Sequence, residues 1–236
     1  MQSTVGTRYV CIECLKDRAH ESQPAIDAFA LALMSKYNRQ SISSTSPSVQ
    51  PLVYNTYQAY LRRNEAHLVE SLRVAKSNGF ALGVKLVRGA YHPHETAAHI
   101  AAHSMAQSTK KAKDPHSLSI SPDALPPVWS TKDETDACYN KCANILLDAV
   151  AEDVQRKERK SWFGRDEGTK TPLVGVLFGT HNWGSCRIIL QQLVAKGLAR
   201  ADGDAPDAIV TIGDEITERV ALAQLYGKRN ITVRVR

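Results

Sequence analysis

Five side chains in the 236-residue chain stand where chemistry could be done together: Gln58, Lys85, Arg88, Tyr91 and His181. Each falls in or just beyond an apolar run, in VYNTYQAY, GVKLVRGAY and VLFGTHN. A strand alternates its faces, so Lys85 and Val87 share one side while Val84 and Leu86 share the other. A lysine in such a run needs a polar interior or a carboxylate partner, because an unpaired buried ammonium is costly. Gln58 can donate and accept at one heterocycle edge. His181 can donate to a phosphate or a ring, or cap the helix that follows it. The set is cationic and amide-rich, with no nucleophile–base pair and no carboxylate dyad. Such a set suits an anionic cofactor that does the chemistry on a small anionic substrate.

Other chemistries find less support. The chain has no GxGxxG, no GxxxxGK[ST] and no GxSxG, so neither a Rossmann nor a P-loop phosphate site is indicated. Cys11 and Cys14 form one CxxC with no second pair at zinc spacing, and Cys138 and Cys142 lie four apart on a helical stretch. His94-Glu95 opens like a zincin motif, but the next histidine, His99, falls one residue too late. Glu95, His99 and His103 do share a helix face at i, i+4 and i+8, a spacing that could bind a metal but reads first as an exposed polar face just past the active edge. No metal is assigned.

The elements that must position these residues follow from periodicity. Pro51 to Tyr57 and Phe80 to Val87 are apolar runs flanking an amphipathic stretch, Tyr60 to Ser77. Its stripe is Leu61, Leu68, Leu72 and Ala75, and Gly79 stops it. That is a βαβ unit, which is almost always parallel and right-handed, with its functional residues at the carboxyl ends of the strands. Upstream, Tyr9 to Ile12 predicts a strand. A helix from Pro24 to Tyr37 follows, with Ile26, Phe29, Ala30 and Leu33 as its apolar face. Downstream come helices at His94 to Lys111, Thr135 to Asp153 and Ser185 to Lys196. Strands are expected at Leu173 to Phe178, Ala208 to Ile212 and Ala221 to Tyr226, with a short helix at Asp214 to Val220. The four prolines between Asp114 and Lys132 mark a surface insertion, and the charged run Gln155 to Lys170 reads as solvated linker. The βα alternation predicts a parallel α/β protein, barrel or open sheet.

With 43% hydrophobic and 23% charged residues the chain has an ordinary globular composition. Its charge of +6 is scattered apart from Arg156 to Lys160, which argues against nucleic acid as a partner. No apolar run approaches the ~18 residues of a membrane span. The opening MQSTVGTRYV carries neither a signal nor a transit pattern, and a strand so close to it suggests a chain missing its front, or one never exported. Five cysteines describe no disulfide framework, so a reducing compartment is expected.

VYNTYQAYL, GVKLVRGAY, LFGTHNWGS and AQLYG, in this order, resemble the proline dehydrogenases, the fungal mitochondrial ones in particular. The resemblance runs from about Gln23 to Gly227. It implies an incomplete (β/α)8 TIM-like barrel forming a single domain over 1–236, with an insertion at 114–132 and an atypical tail at 228–236. It further implies FAD as cofactor and oxidation of L-proline to Δ1-pyrroline-5-carboxylate. Electrons would pass to a quinone, with the protein associated peripherally with the mitochondrial inner membrane. Gln58, Lys85, Arg88, Gly89, Ala90, Thr180 and His181 would contact the cofactor. Tyr91 would sit near the substrate, and Lys85 and Tyr91 would be the catalytic pair. The pattern departs at both ends. Where the family carries Asp-Ala-Glu, this chain reads CIECLKDRAHES, with Asp17 or Glu13 as substitutes. An earlier lysine-bearing strand has no counterpart. After AQLYG the chain reads KRNITVRVR instead of leading to the helix that grips proline's carboxylate. The expectation is a truncated family member, with a catalytically incomplete remnant as the alternative and a metal-binding protein as a lesser one.

Overall fold

The computed structural model describes residues 10–12, 19–39, 51–89, 92–108, 125–162, 174–203 and 209–224. Strand β1 (Val10–Ile12) leads to helix α1 (Ala19–Tyr37). The predicted βαβ unit follows as β2 (Val53–Gln58), α2 (Asn64–Asn78) and β3 (Gly83–Val87). Then come α3 (His92–Ser108), α4 (Lys132–Trp162), β4 (Gly175–Gly179) and α5 (Trp183–Ala195). The described chain closes with β5 (Ala199–Ala201), β6 (Val210–Ile212), α6 (Asp214–Thr217) and β7 (Val220–Ala223). Five strands pair in parallel in the order β1-β2-β3-β4-β7. Parallel strands joined by helical crossovers make this an incomplete α/β barrel. Among the sites expected from sequence, Ala90, Tyr91, Glu13, Asp17, Cys14, 114–124 and the tail 228–236 lie outside the described residues.

One face of the sheet is sealed by helices. Tyr57, Val84, Leu86, Val176, Phe178 and Val220 all point into the core with Leu68 and Ala75 of α2 and Cys142, Leu146, Leu147 and Val150 of α4. Full burial of each large apolar side chain is worth about 1.5–3 kcal/mol. The other face is different: Lys85 and Val87 on β3, and Leu177 and Gly179 on β4, are only half-buried. The alternation read for β3 therefore holds, and β4 repeats it.

Several sequence expectations are corrected. Helix α1 starts five residues before Pro24, and Phe29 is 59% exposed while Met34 is buried. The buried stripe of α1 is Gln23, Asp27, Ala30, Met34, at helical spacing. Its first two residues are polar, which hides the stripe from any hydropathy pattern. Helix α2 begins at Asn64, because Tyr60 and Leu61 are drawn out of it. Ala59 N donates to Val87 O at 2.8 Å, Tyr60 N donates to Arg88 O at 2.9 Å, and Leu61 bridges Val128. The charged run Gln155 to Lys170 begins as helix, since α4 continues through Trp162. Glu, Lys, Arg and Gln are good helix formers, and no glycine or proline interrupts them before Gly164. Strand β6 does not join the main sheet. It pairs antiparallel with β5, a strand too short to leave a signal of its own. Gly79 ends α2 as predicted, with φ +67°.

Candidate active site

The carboxyl edge of the sheet is built around Arg88. Its Nη1 donates to Thr180 Oγ1 at 2.7 Å, its Nη2 to Ser185 Oγ at 2.7 Å, and its Nε to Asp136. The guanidinium lies 4.3 Å from the centroid of the Tyr139 ring, a cation–π geometry. One side chain thus ties the end of β3 to the end of β4 and to the first turns of α4 and α5. Asp136 also takes Lys132 and accepts from Asn182 Nδ2 at 3.3 Å. Partial burial raises the Asp136 carboxyl, but Lys132 and Arg88 outweigh it and hold the group below its usual value. Burial pushes the Tyr139 phenol well up, despite the pull of Arg88 the other way. It stays neutral and offers Arg88 an uncharged ring face.

Beyond β4, Thr180 accepts from Asn182 N at 3.0 Å, and Asn182 Oδ1 accepts from Ser185 N at 3.3 Å. Asn182 is therefore the N-cap of α5, the role that sequence reading offered to His181. An asparagine accepts one of the orphan donors of the first turn. His181 is half-buried at the same edge.

On the neighbouring strand, Gln58 is 5% exposed, and its Nε2 donates to Gln23 Oε1 at 3.1 Å. Gly89 follows Arg88 with φ +107°, and a Cβ there would stand 1.9 Å from the Tyr60 ring. Only glycine fits that turn. Gln58 Oε1 stands 3.1 Å from the same point. In register, Lys85 lies between Thr56 of β2 and Leu177 of β4, on the half-buried face.

The sequence-derived set is thus divided by the strands. Arg88 and Thr180 are joined by a hydrogen bond on the side where α4 and α5 begin. Gln58 approaches Gly89, and Lys85 takes the half-buried face. Sequence reading missed Asp136, Gln23 and Asp27, polar helix residues with no motif around them, and gave no role to Asn182 and Ser185 although both lie in LFGTHNWGS. An arginine directly after a buried strand was the available signal, since such a group needs a carboxylate nearby. Glu95 is buried and His99 half-buried on α3, while the side chain of His103 lies outside the described residues. Among the described residues no group of three or more His, Cys, Asp or Glu is placed to hold a metal ion.

The proline dehydrogenase family model matches residues 19–116 and 120–235 of the chain, passing over three residues of the proline-containing stretch. Proline dehydrogenase 1, mitochondrial, of Arabidopsis thaliana is 27% identical over 205 residues, covering 87% of this chain and 29% of that protein. Its namesake in Drosophila melanogaster is 30% identical over 182 residues, covering 76% of this chain and 21% of that protein. The chain thus spans less than a third of the length of these relatives. Among solved structures, proline utilization A of Bdellovibrio bacteriovorus, inactivated by N-propargylglycine, matches 93% of this chain and 16% of its own. Its TM-score is 0.56 at 17% identity, a likeness of fold.

Proposed function

Because the chain belongs to the proline dehydrogenase family, we propose that it takes part in the first step of proline catabolism. That step is oxidation of L-proline to Δ1-pyrroline-5-carboxylate, with FAD as the cofactor. The observation that carries this reading is the half-buried sheet face with Lys85 at its centre, beside a polar carboxyl edge. An anionic flavin fits a face that carries a cation. Gly89 lets the Tyr60 ring pack against the strand end, Gln58 brings an amide beside it, and Lys85 supplies a cation on the face where a ring could lie. Bound there, FAD would supply the hydride acceptor for C5 of proline. Lys85 would favour the negative charge that reduction places on the cofactor. Thr180, His181 and Ala90 would complete its contacts and Tyr91 would meet the substrate. Arg88 would hold the edge in shape around them, its guanidinium already shared by Asp136, Thr180 and Ser185. We take residues 1–236 as parts of one domain. The Arabidopsis thaliana and Drosophila melanogaster relatives are named mitochondrial. We extend that location to this chain, with an inner-membrane quinone as electron acceptor and peripheral contact with that membrane.

The test is direct. Purified chain should take up added FAD and bleach it anaerobically on addition of L-proline. Lys85→Met should keep the fold and slow that reduction by about 10²-fold, the usual loss for one preorganised charge. A chain that takes up no FAD would overturn the reading, and an unchanged reduction rate in Lys85→Met would remove Lys85 from the chemistry.

A further inference from the structure

The orientation of Gln58 is set by a residue that does not touch it. Asp27 of α1 is 3% exposed, and donors converge on its carboxylate. Gln23 Nε2 lies 2.8 Å and Asn55 Nδ2 2.7 Å from Oδ1. Arg63 pairs with Oδ2, and His67 Nε2 stands 3.2 Å from the same oxygen. A carboxylate can only accept, so Gln23 must turn its NH₂ to Asp27, with Thr56 O a second and longer acceptor at 3.4 Å, and leave its oxygen facing away. That oxygen accepts from Gln58 Nε2 at 3.1 Å. Gln58 has then committed its NH₂ inward, and the atom it turns toward Gly89 is Oε1. Hydrogen-bond polarity thus passes from a charge on α1 through two amides to the strand end. Burial raises the Asp27 carboxyl, but His67, Gln23 and Arg63 together bring it down to about 2. The anchor therefore stays charged at any working pH.

The geometry points to Asp27 as a positioning residue that, through Gln23, fixes Gln58 with its oxygen outward, so that the edge selects an N–H group on its ligand. This rests on the flavin reading above. In the oxidised isoalloxazine ring the imide N3–H is the one N–H, so it is the group that an outward oxygen would choose.

The probe is a pair of ligands, FAD and its 3-methyl derivative, titrated into the purified chain and its variants. The wild type should prefer FAD by about tenfold or more, the scale of one hydrogen bond with its partner left unsatisfied. Gln58→Met sets the ratio that remains with no acceptor. Asp27→Asn can return an NH₂ to Gln23 and let both amides invert, so its ratio should fall to the Gln58→Met value. Gln23→Met should do the same while leaving Asp27 paired with Arg63, His67 and Asn55. It decides the matter if Asp27→Asn does not fold by circular dichroism. A general loosening of the site lowers both affinities together and leaves the ratio alone. A wild type that binds neither ligand would sink the flavin reading. A wild type that discriminates while a folded Asp27→Asn keeps its full ratio would overturn the role of Asp27.

Discussion

The two ends of the parallel sheet use the same residue types for opposite ends. At the carboxyl edge Arg88 meets Asp136 where both side chains keep about a fifth of their exposure, and the carboxyl is held low. At the amino edge Arg219 meets Asp153 at 2.8 Å with side chains 2% and 8% exposed. There burial outweighs Val174 N–H and Arg219 and pushes the carboxyl up. Solvent left at the first pair lets the attraction win, and its removal at the second lets desolvation win. Around Arg219 the start of β4 is clasped: Val174 N donates to Asp153 at 3.0 Å, and Arg219 Nε donates to Val174 O at 3.2 Å. Asn38 makes the same kind of clasp, donating to Val53 O at 2.8 Å and Ala81 O at 2.9 Å while accepting from Leu52 N and Val53 N. In α/β barrels the amino end serves stability and the carboxyl end chemistry. Here the distinction is visible in how much water each arginine keeps.

The contrast can be broken most forcefully at the amino edge. Arg219→Met should cost about 3 kcal/mol, the low end for a broken buried pair, in thermal or denaturant unfolding, because Asp153 is left with Arg156 at 3.5 Å as its remaining cation. FAD affinity per folded molecule should hold. Because Asp153 can then take a proton, the penalty should shrink on acidification, and Asp153→Leu with Arg219→Met should recover most of it. A double variant no better than the single one would show that the pair itself, and not the stranded charge, matters. At the carboxyl edge, Arg88→Met removes three charge-assisted bonds from a wetter site. About 2–3 kcal/mol is expected, with FAD affinity falling as well, so the ratio of binding loss to stability loss separates the two ends. The smallest effect is in acid. Asp27, depressed from 3.8 to about 2, contributes about 2 kcal/mol that is present above pH 4 and lost as pH falls through 2. Asp153, raised, works in the opposite sense, its contribution being lost as pH rises. Unfolding measured from pH 5 to pH 2 should therefore fall steeply in the wild type and more gently in Asp27→Asn. Equal slopes would deny Asp27 its charge partners.

Much of the scaffold was legible because its signals are local. GVKLV alternates, Gly79 stops a helix, and THN follows a buried run, so β2, α2, β3, β4 and α5 could be placed. Of the candidate edge, only the residues that strand ends carry could be read, namely Gln58, Lys85, Arg88 and Thr180. Gln23, Asp27 and Asp136 are polar residues on helices, indistinguishable in sequence from a solvated face until the fold brings a partner against them. The charged end of α4 misled for the converse reason, since charge patterning says where water is and nothing about whether the backbone is helical. Phe29 did so too: it is apolar, yet it points away from the core, while the buried stripe beside it holds Gln23 and Asp27.

The reach of Arg88 also has a bearing on time. Its partners Asp136, Thr180 and Ser185 stand 48, 92 and 97 positions along the chain, whereas β2 and β3 meet across one short helix. Closing long loops costs chain entropy before any contact repays it. The βαβ unit can gather early from neighbours in sequence. The edge that would hold a cofactor is then assembled from the most distant pieces of the chain, and it comes into being only when the rest of the sheet already has.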